Sequence, residues 1–144
     1  MADMSPEDWE FWDTWMRAHR VLTRELDRGL QRDCGISKAE FSVLMTLAGP
    51  MRVGELADAL GWEKSRVAHL LTRMEARGLV ARIEDGATGR RTGIELTGEG
   101  RRTAERATRA HGGNIRRLVL DRLAPDQAAA IRAWSEQLTE PGRL

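Results

Sequence analysis

A mainly α chain with one small β-hairpin, an α+β arrangement, is the fold class that this sequence predicts. Three observations carry it. Apolar residues recur every three or four positions through most of the chain, the mark of helices with a buried face. Only two short runs, 79–83 and 93–96, leave that period and read as strands. Glycine and proline fall at the breaks between segments, where turns need them. At 144 residues the chain has the length of one domain and can bury a core of its own.

Ser5-Pro6-Glu7-Asp8 opens the first helix: Ser5 caps, Pro6 suits the first helical position, and the two acids sit at the positive end of the dipole. Trp9, Trp12, Met16, His19, Thr23, Leu26 and Leu30 then repeat at helical spacing. Phe11, Trp15, Ala18 and Leu22 form a second stripe beside them. A helix of about 25 residues with two apolar faces is wider than one small core needs, so part of it is expected to pack against a second subunit. Gly35 ends it. Ser37-Lys38-Ala39-Glu40 matches the S-x-x-E capping box and starts a second helix, with Phe41, Leu44, Met45 and Leu47 on its buried side.

Gly49-Pro50 breaks that helix, and two short ones follow. Val53, Leu56, Ala57 and Leu60 stop at Gly61; Val67, Leu70, Leu71 and Met74 stop at Gly78. Joined by a turn at Gly61-Trp62-Glu63, the pair reads as a helix-turn-helix. The two strand runs come next, separated by a glycine-softened tip from Glu84 to Thr92 that carries Arg90 and Arg91. Thr97 caps a further long helix with Ala104, Ala107 (or Thr108), His111, Ile115 and Leu118 in period, which Gly112-Gly113 is expected to interrupt. Pro125-Asp126 begins a last helix with Ala128, Ile131, Trp134 (or Ala133) and Leu138, and Pro141-Gly142 ends it.

The chemistry lies in residues 63–74. The apolar members of that helix share one face, leaving Lys64, Ser65, Arg66, Ala68, His69, Thr72 and Arg73 on the other. Arginine can fork onto guanine O6 and N7, Ser and Thr can bond phosphates or base edges, and a small Ala68 allows close approach to a thymine methyl. A solvated helix face has the same composition. The hairpin favours the DNA-facing reading, because Arg90 and Arg91 can follow the phosphate backbone or enter a narrow minor groove beside that helix.

The net charge of +1 hides a division. Residues 1–48 carry 6 basic and 9 acidic groups, whereas 62–103 carry 9 and 6. Lys38 and Lys64 are the only lysines among 23 basic residues, so the cations are almost all arginine, suited to bidentate contacts. Enzyme readings find little support. His19, His69, His111 and the single Cys34 have no metal-ligand spacing, and Gly98-Glu99-Gly100 lacks the third glycine of a dinucleotide loop, Thr103 standing in its place. No catalytic role, metal or cofactor is expected. A lone cysteine fits a reducing compartment, and the acidic segment from Met1 to Glu10 has no signal-peptide core, so a cytoplasmic protein away from membranes is expected. Cys34, between Arg32-Asp33 and Gly35 and with no second cysteine to resolve an oxidised form, reads as an inert thiol rather than a redox switch.

Over essentially its whole length, and most specifically in residues 53–100, the chain resembles the MarR-type winged helix-turn-helix transcriptional regulators. Val53 to Leu60 is similar to the first helix of that family's reading head; Trp62 to Val80 to its recognition helix and strand entry; Leu96-Thr97-Gly98-Glu99-Gly100 to the junction after the wing. One departure is Thr88-Gly89, where the family usually has an aspartate before the wing arginine; Asp85 is the nearby substitute. The resemblance implies a homodimer clasped by helices at both chain ends, 1–34 with 101–144, around a DNA-binding region at 35–100, the whole forming one intertwined domain. It implies a repressor on a pseudo-palindromic double-stranded operator, released by a small aromatic or anionic effector. Lys64, Ser65, Arg66, His69, Arg73, Arg90 and Arg91 are the expected DNA contacts. Trp12, Trp15 and His19, together with Trp9, either line an effector pocket or pack at the dimer seam. The alternative function is a winged helix that grips another protein without reading DNA sequence.

Overall fold

The computed structural model describes residues 3–84, 89–90 and 93–142. Helix α1 spans Pro6–Cys34, its Ser5 hydroxyl accepting from the Asp8 N–H at 3.1 Å while the Asp8 carboxylate accepts from the Ser5 N–H at 2.8 Å. Ser5 caps the helix as its sequence predicts, Asp8 adds the return bond that makes the cap reciprocal, and Gly35 ends the helix at φ 68°, a left-handed turn that favours glycine. Helix α2, Lys38–Thr46, starts on the same device, Ser37 with Glu40. Helices α3, Val53–Leu60, and α4, Lys64–Ala76, flank Gly61 at φ 67°. Strands β2, Val80–Ile83, and β3, Gly93–Leu96, pair antiparallel with Val80 opposite Leu96 and Ile83 opposite Gly93. Helices α5, Gly98–Leu118, and α6, Pro125–Thr139, complete the chain, with a single 3₁₀ turn at Leu120–Arg122 between them.

The structure changes three expectations. The hairpin is a three-stranded sheet, because Met51–Arg52 forms a further strand, β1, with Met51 opposite Ile94; β3 is the central strand. Gly112-Gly113 does not interrupt α5, whose helical span runs through both. Each glycine costs about 1 kcal/mol of helix propensity, yet retains the N–H that continues the ladder. On α2, Met45 is exposed rather than buried, and Val43 takes its place in the core. Met45 instead meets α5, where the Thr108 hydroxyl lies 3.3 Å from its sulfur.

The chain divides into two compact units, one through His111 and one from Gly112. The core of the first unit packs Leu30 and Ile36 with Val43, Leu44 and Leu47 of α2, Leu56 of α3, Val67, Leu71 and Met74 of α4, and Ile94 of the central strand. Helix α4 and the sheet thus share one packed core. Residues 6–15 of α1 are exposed throughout, Trp9, Phe11, Trp12 and Trp15 included. In the second unit Ile131, Trp134 and Leu138 of α6 are exposed as well. No described helix is long and apolar enough to cross a membrane.

Candidate nucleic-acid interface

The segregation of α4 into two faces is complete. Val67, Leu70, Leu71 and Met74 are buried, while Lys64, Ser65, Arg66, His69, Thr72 and Arg73 are exposed. Ser65 to Arg73 spans about 12 Å of helix axis, the length of three to four base-pair steps at roughly 3.4 Å each. The exposed face therefore matches a short stretch of duplex groove, with guanidinium groups near its two ends.

Two arginines outside that face hold the helix in place. Arg77, just past the end of α4, donates from Nη2 to the Gly35 carbonyl at 2.6 Å and from Nη1 to the Glu40 carboxylate, tying the helix end to the α1–α2 junction. Arg82 on β2 donates to the Thr72 hydroxyl at 3.3 Å and lies 3.9 Å from the Glu75 carboxylate. Strand β2 is thereby braced directly against α4. Arg90 is exposed beyond β2, next to Gly89 at φ 69°. Arg91 lies outside the described residues, as do Asp85 and Thr88.

Beside this face a cleft of about 650 Å³ lies between α1, the start of α2 and the start of α4. Its walls include His19, Arg20 and Arg24 from α1, Lys38 from α2, Trp62 just before α4 and Arg66 from α4. The Arg66 guanidinium carbon stands 4.3 Å from the centre of the Trp62 ring, a cation–π contact. Asp27 is the cleft's one carboxylate; it accepts from the Lys38 N–H at 2.7 Å and from the Gln31 amide at 3.2 Å.

Comparison with known proteins fits this geometry. The MarR family model matches residues 35–91. The transcriptional regulator HosA of Escherichia coli is 31% identical over 94 residues, which cover 64% of this chain and 69% of HosA. This chain belongs to the MarR family. Among solved structures, the MarR family transcriptional regulator Sco3205 of Streptomyces coelicolor, crystallised in complex with DNA, is 29% identical with a TM-score of 0.84 over 97% of this chain and 90% of Sco3205. AbsC from the same organism, also a MarR family regulator, is 29% identical with a TM-score of 0.78 over 96% of this chain and 98% of AbsC.

Within this MarR-family fold the described candidate residues fall into separate groups. Lys64, Ser65, Arg66, His69 and Arg73 share one exposed helix face. Of the three candidate ligand residues, His19 lines the cleft. Trp12 and Trp15 belong to the exposed stretch nearer the start of α1, where Phe11 and Trp15 have ring centres 6.1 Å apart. Trp62, Arg77 and Arg82 were not anticipated. The Trp62–Arg66 spacing of four residues is readable in the sequence as a stacking pair, whereas Arg77 and Glu40 are 37 positions apart and only the fold joins them. Cys34 is half-buried against the core, and its neighbours Arg32 and Asp33 pair with each other, Nε to Oδ1 at 3.0 Å. No group of three His, Cys, Asp or Glu among the described residues is placed to hold a metal ion.

His111 is 7% exposed, its ring centre 4.9 Å from that of Phe41, and its buried Nδ1 has no hydrogen-bond partner among the described residues. Burial, then the charge of Lys38, holds its pKa below the ordinary histidine value. The unfolded chain thus takes up this proton more readily than the folded one. Its contribution to stability is complete above about pH 6.5 and is lost as the pH falls towards the depressed folded value. Denaturant midpoints measured between about pH 7.5 and about pH 5 should fall less steeply in His111→Gln than in the wild type; parallel profiles would remove His111 as the cause.

Proposed function

We propose that this DNA-binding transcriptional regulator is a cytoplasmic repressor that binds a pseudo-palindromic operator as a homodimer and leaves it when a small aromatic or anionic effector binds. The observation that carries the DNA reading is the single face of α4 on which Lys64, Ser65, Arg66, His69 and Arg73 are exposed over a fully packed back. Arg66 and Arg73 are the base readers, Ser65 and His69 the smaller polar contacts between and before them, and Lys64 a phosphate anchor. Arg90 and Arg91 act from the wing. The DNA complex of Sco3205 supports the mode of binding, since this chain shares that fold along nearly its whole length. The dimer is supported by ten successive exposed residues of α1 that include four large aromatics, which an isolated helix would not keep in water. The cleft beside Arg66 supports the effector, with His19 as the candidate ligand residue on its wall and Trp12 and Trp15 as further candidates in the same helix.

The test begins with duplexes selected from random sequence by the purified protein. Arg66→Ala should lower discrimination between the selected duplex and random DNA by about 1–3 kcal/mol, the worth of one bidentate base contact. Arg90→Ala should weaken both duplexes alike and flatten the slope of affinity against salt by about one counterion. A footprint unchanged by both variants refutes these assignments. A protein with no sequence preference and no salt dependence is instead a protein-binding winged helix.

A further inference from the structure

One side chain serves both the cleft and the reading face. Arg66 is on the exposed face of α4, one turn before His69 and two before Arg73, yet its guanidinium is stacked on Trp62 at the cleft wall. No ion pair with a described carboxylate holds it there; the indole face is its partner. Around it the cleft gathers Arg20, Arg24, which lies 3.9 Å from the Glu25 carboxylate, and Lys38, whose ammonium stands 5.4 Å from the Phe41 ring centre, against Asp27, whose two oxygens are already engaged. The cleft is therefore cationic and carries the indole–guanidinium stack on its wall, a setting for a small organic anion with a planar apolar body. A carboxylate seated there can fork onto the stacked guanidinium, whereas a base edge in the groove needs the same guanidinium extended away from the ring.

We infer that the anion and the operator compete for Arg66: the effector acts by holding this guanidinium on Trp62, with Trp62 as the positioning residue. The inference rests on the ligand-responsive reading above and specifies how it works. It also bounds the response, because a ligand that only withdraws Arg66 cannot weaken operator binding more than loss of Arg66 does, about 5–150-fold.

The test uses the full chain, the selected duplex and 2-naphthoate as probe, with neutral 2-naphthylmethanol as the uncharged counterpart. Calorimetry reports probe binding without DNA, and fluorescence anisotropy of labelled duplex reports operator affinity. Naphthoate should bind the wild type and weaken its operator complex within that range, while the alcohol should do neither. Arg66→Ala should start with weak operator affinity and lose none on adding naphthoate. Trp62→Leu should raise the naphthoate concentration needed for binding by about 3–30-fold, the loss of a cation–π platform. If naphthoate binds the wild type but leaves its operator complex intact, or releases Arg66→Ala as well as it releases the wild type, competition for Arg66 is wrong and the cleft remains a ligand site. If no naphthoate binds the wild type, the anionic cleft itself is wrong and the inference falls with it.

Discussion

Replacing Phe11 and Trp15 together by glutamate should turn the protein into a monomer at micromolar concentration and remove most of its operator affinity. Both side chains are exposed in the single chain, Phe11 at 66% and Trp15 at 40%, and their rings are close enough to enter an interface as one patch. Fully burying such a side chain is worth about 1.5–3 kcal/mol, so roughly 1–2 kcal/mol is still to be gained from each when it is covered. A two-fold dimer uses the patch twice, and four side chains then give about 4–8 kcal/mol, or about three to six orders of magnitude in the dimer dissociation constant. New carboxylates in an apolar seam add a desolvation penalty in the same direction. Each monomer would still carry one intact reading face, but two faces on one rigid body are what a pseudo-palindromic site recognises. Sedimentation equilibrium and operator titration should therefore change together. A variant that remains a dimer with wild-type affinity would show that this stretch of α1 is not the clasp. The same segment carries the acidic excess of residues 1–48 that offsets the basic residues 62–103 in the net charge. The basic excess thus lies in the part of the chain that carries the exposed face of α4.

Local signals made most of this legible before any coordinates. The Ser5 cap and the Ser37–Glu40 capping box are interactions across three residues, and both appear in the structure. Gly61 and Gly78 end helices as their φ angles of 67° and 74° require. The buried side of α4 follows from its period alone. What escaped was set by partners distant in sequence. Strand β1 is two residues long, too short to show alternation, and exists only because β3 offers it an edge. Met45 satisfies the period of α2 yet faces α5, a neighbour that the period cannot reveal. Arg77 reads as one more surface cation until the fold brings Glu40 and the Gly35 carbonyl to it. In the interface, the exposed face was legible as a pattern of residue types, but the stacked state of Arg66 was not, since a rotamer is selected by the cleft around it.

Gly100 is the position where the largest single loss of stability is expected. A Cβ placed there would sit 2.0 Å from the Leu79 carbonyl oxygen and 3.0 Å from its carbon, so backbone rather than a flexible side chain would have to move. That carbonyl is already in use, accepting from the Thr97 N–H at 3.1 Å. Thr97 in turn donates its hydroxyl to the Gly78 carbonyl at 2.6 Å and accepts from the Gly100 N–H at 3.0 Å, so the start of α5 and the end of α4 meet at this one junction. Gly100→Ala must therefore relieve the clash by parting contacts that join reading helix, wing and long helix. Overpacking of about 1–3 kcal/mol plus one weakened hydrogen bond of about 1 kcal/mol gives a loss of about 2–4 kcal/mol. For a chain of this size that lowers Tm by roughly 6–12 °C. Gly98 provides the control: a Cβ there meets only the end of the long Arg102 side chain, 3.4 Å away, and Gly98→Ala should be neutral or slightly stabilising because it reduces the freedom of the unfolded chain. Equal melting temperatures for the two variants would mean that the junction yields without cost. A large gap between them would show that the glycine once considered as part of a nucleotide loop is instead required by the close approach of two backbones, the contact that fixes the wing relative to the helix it accompanies.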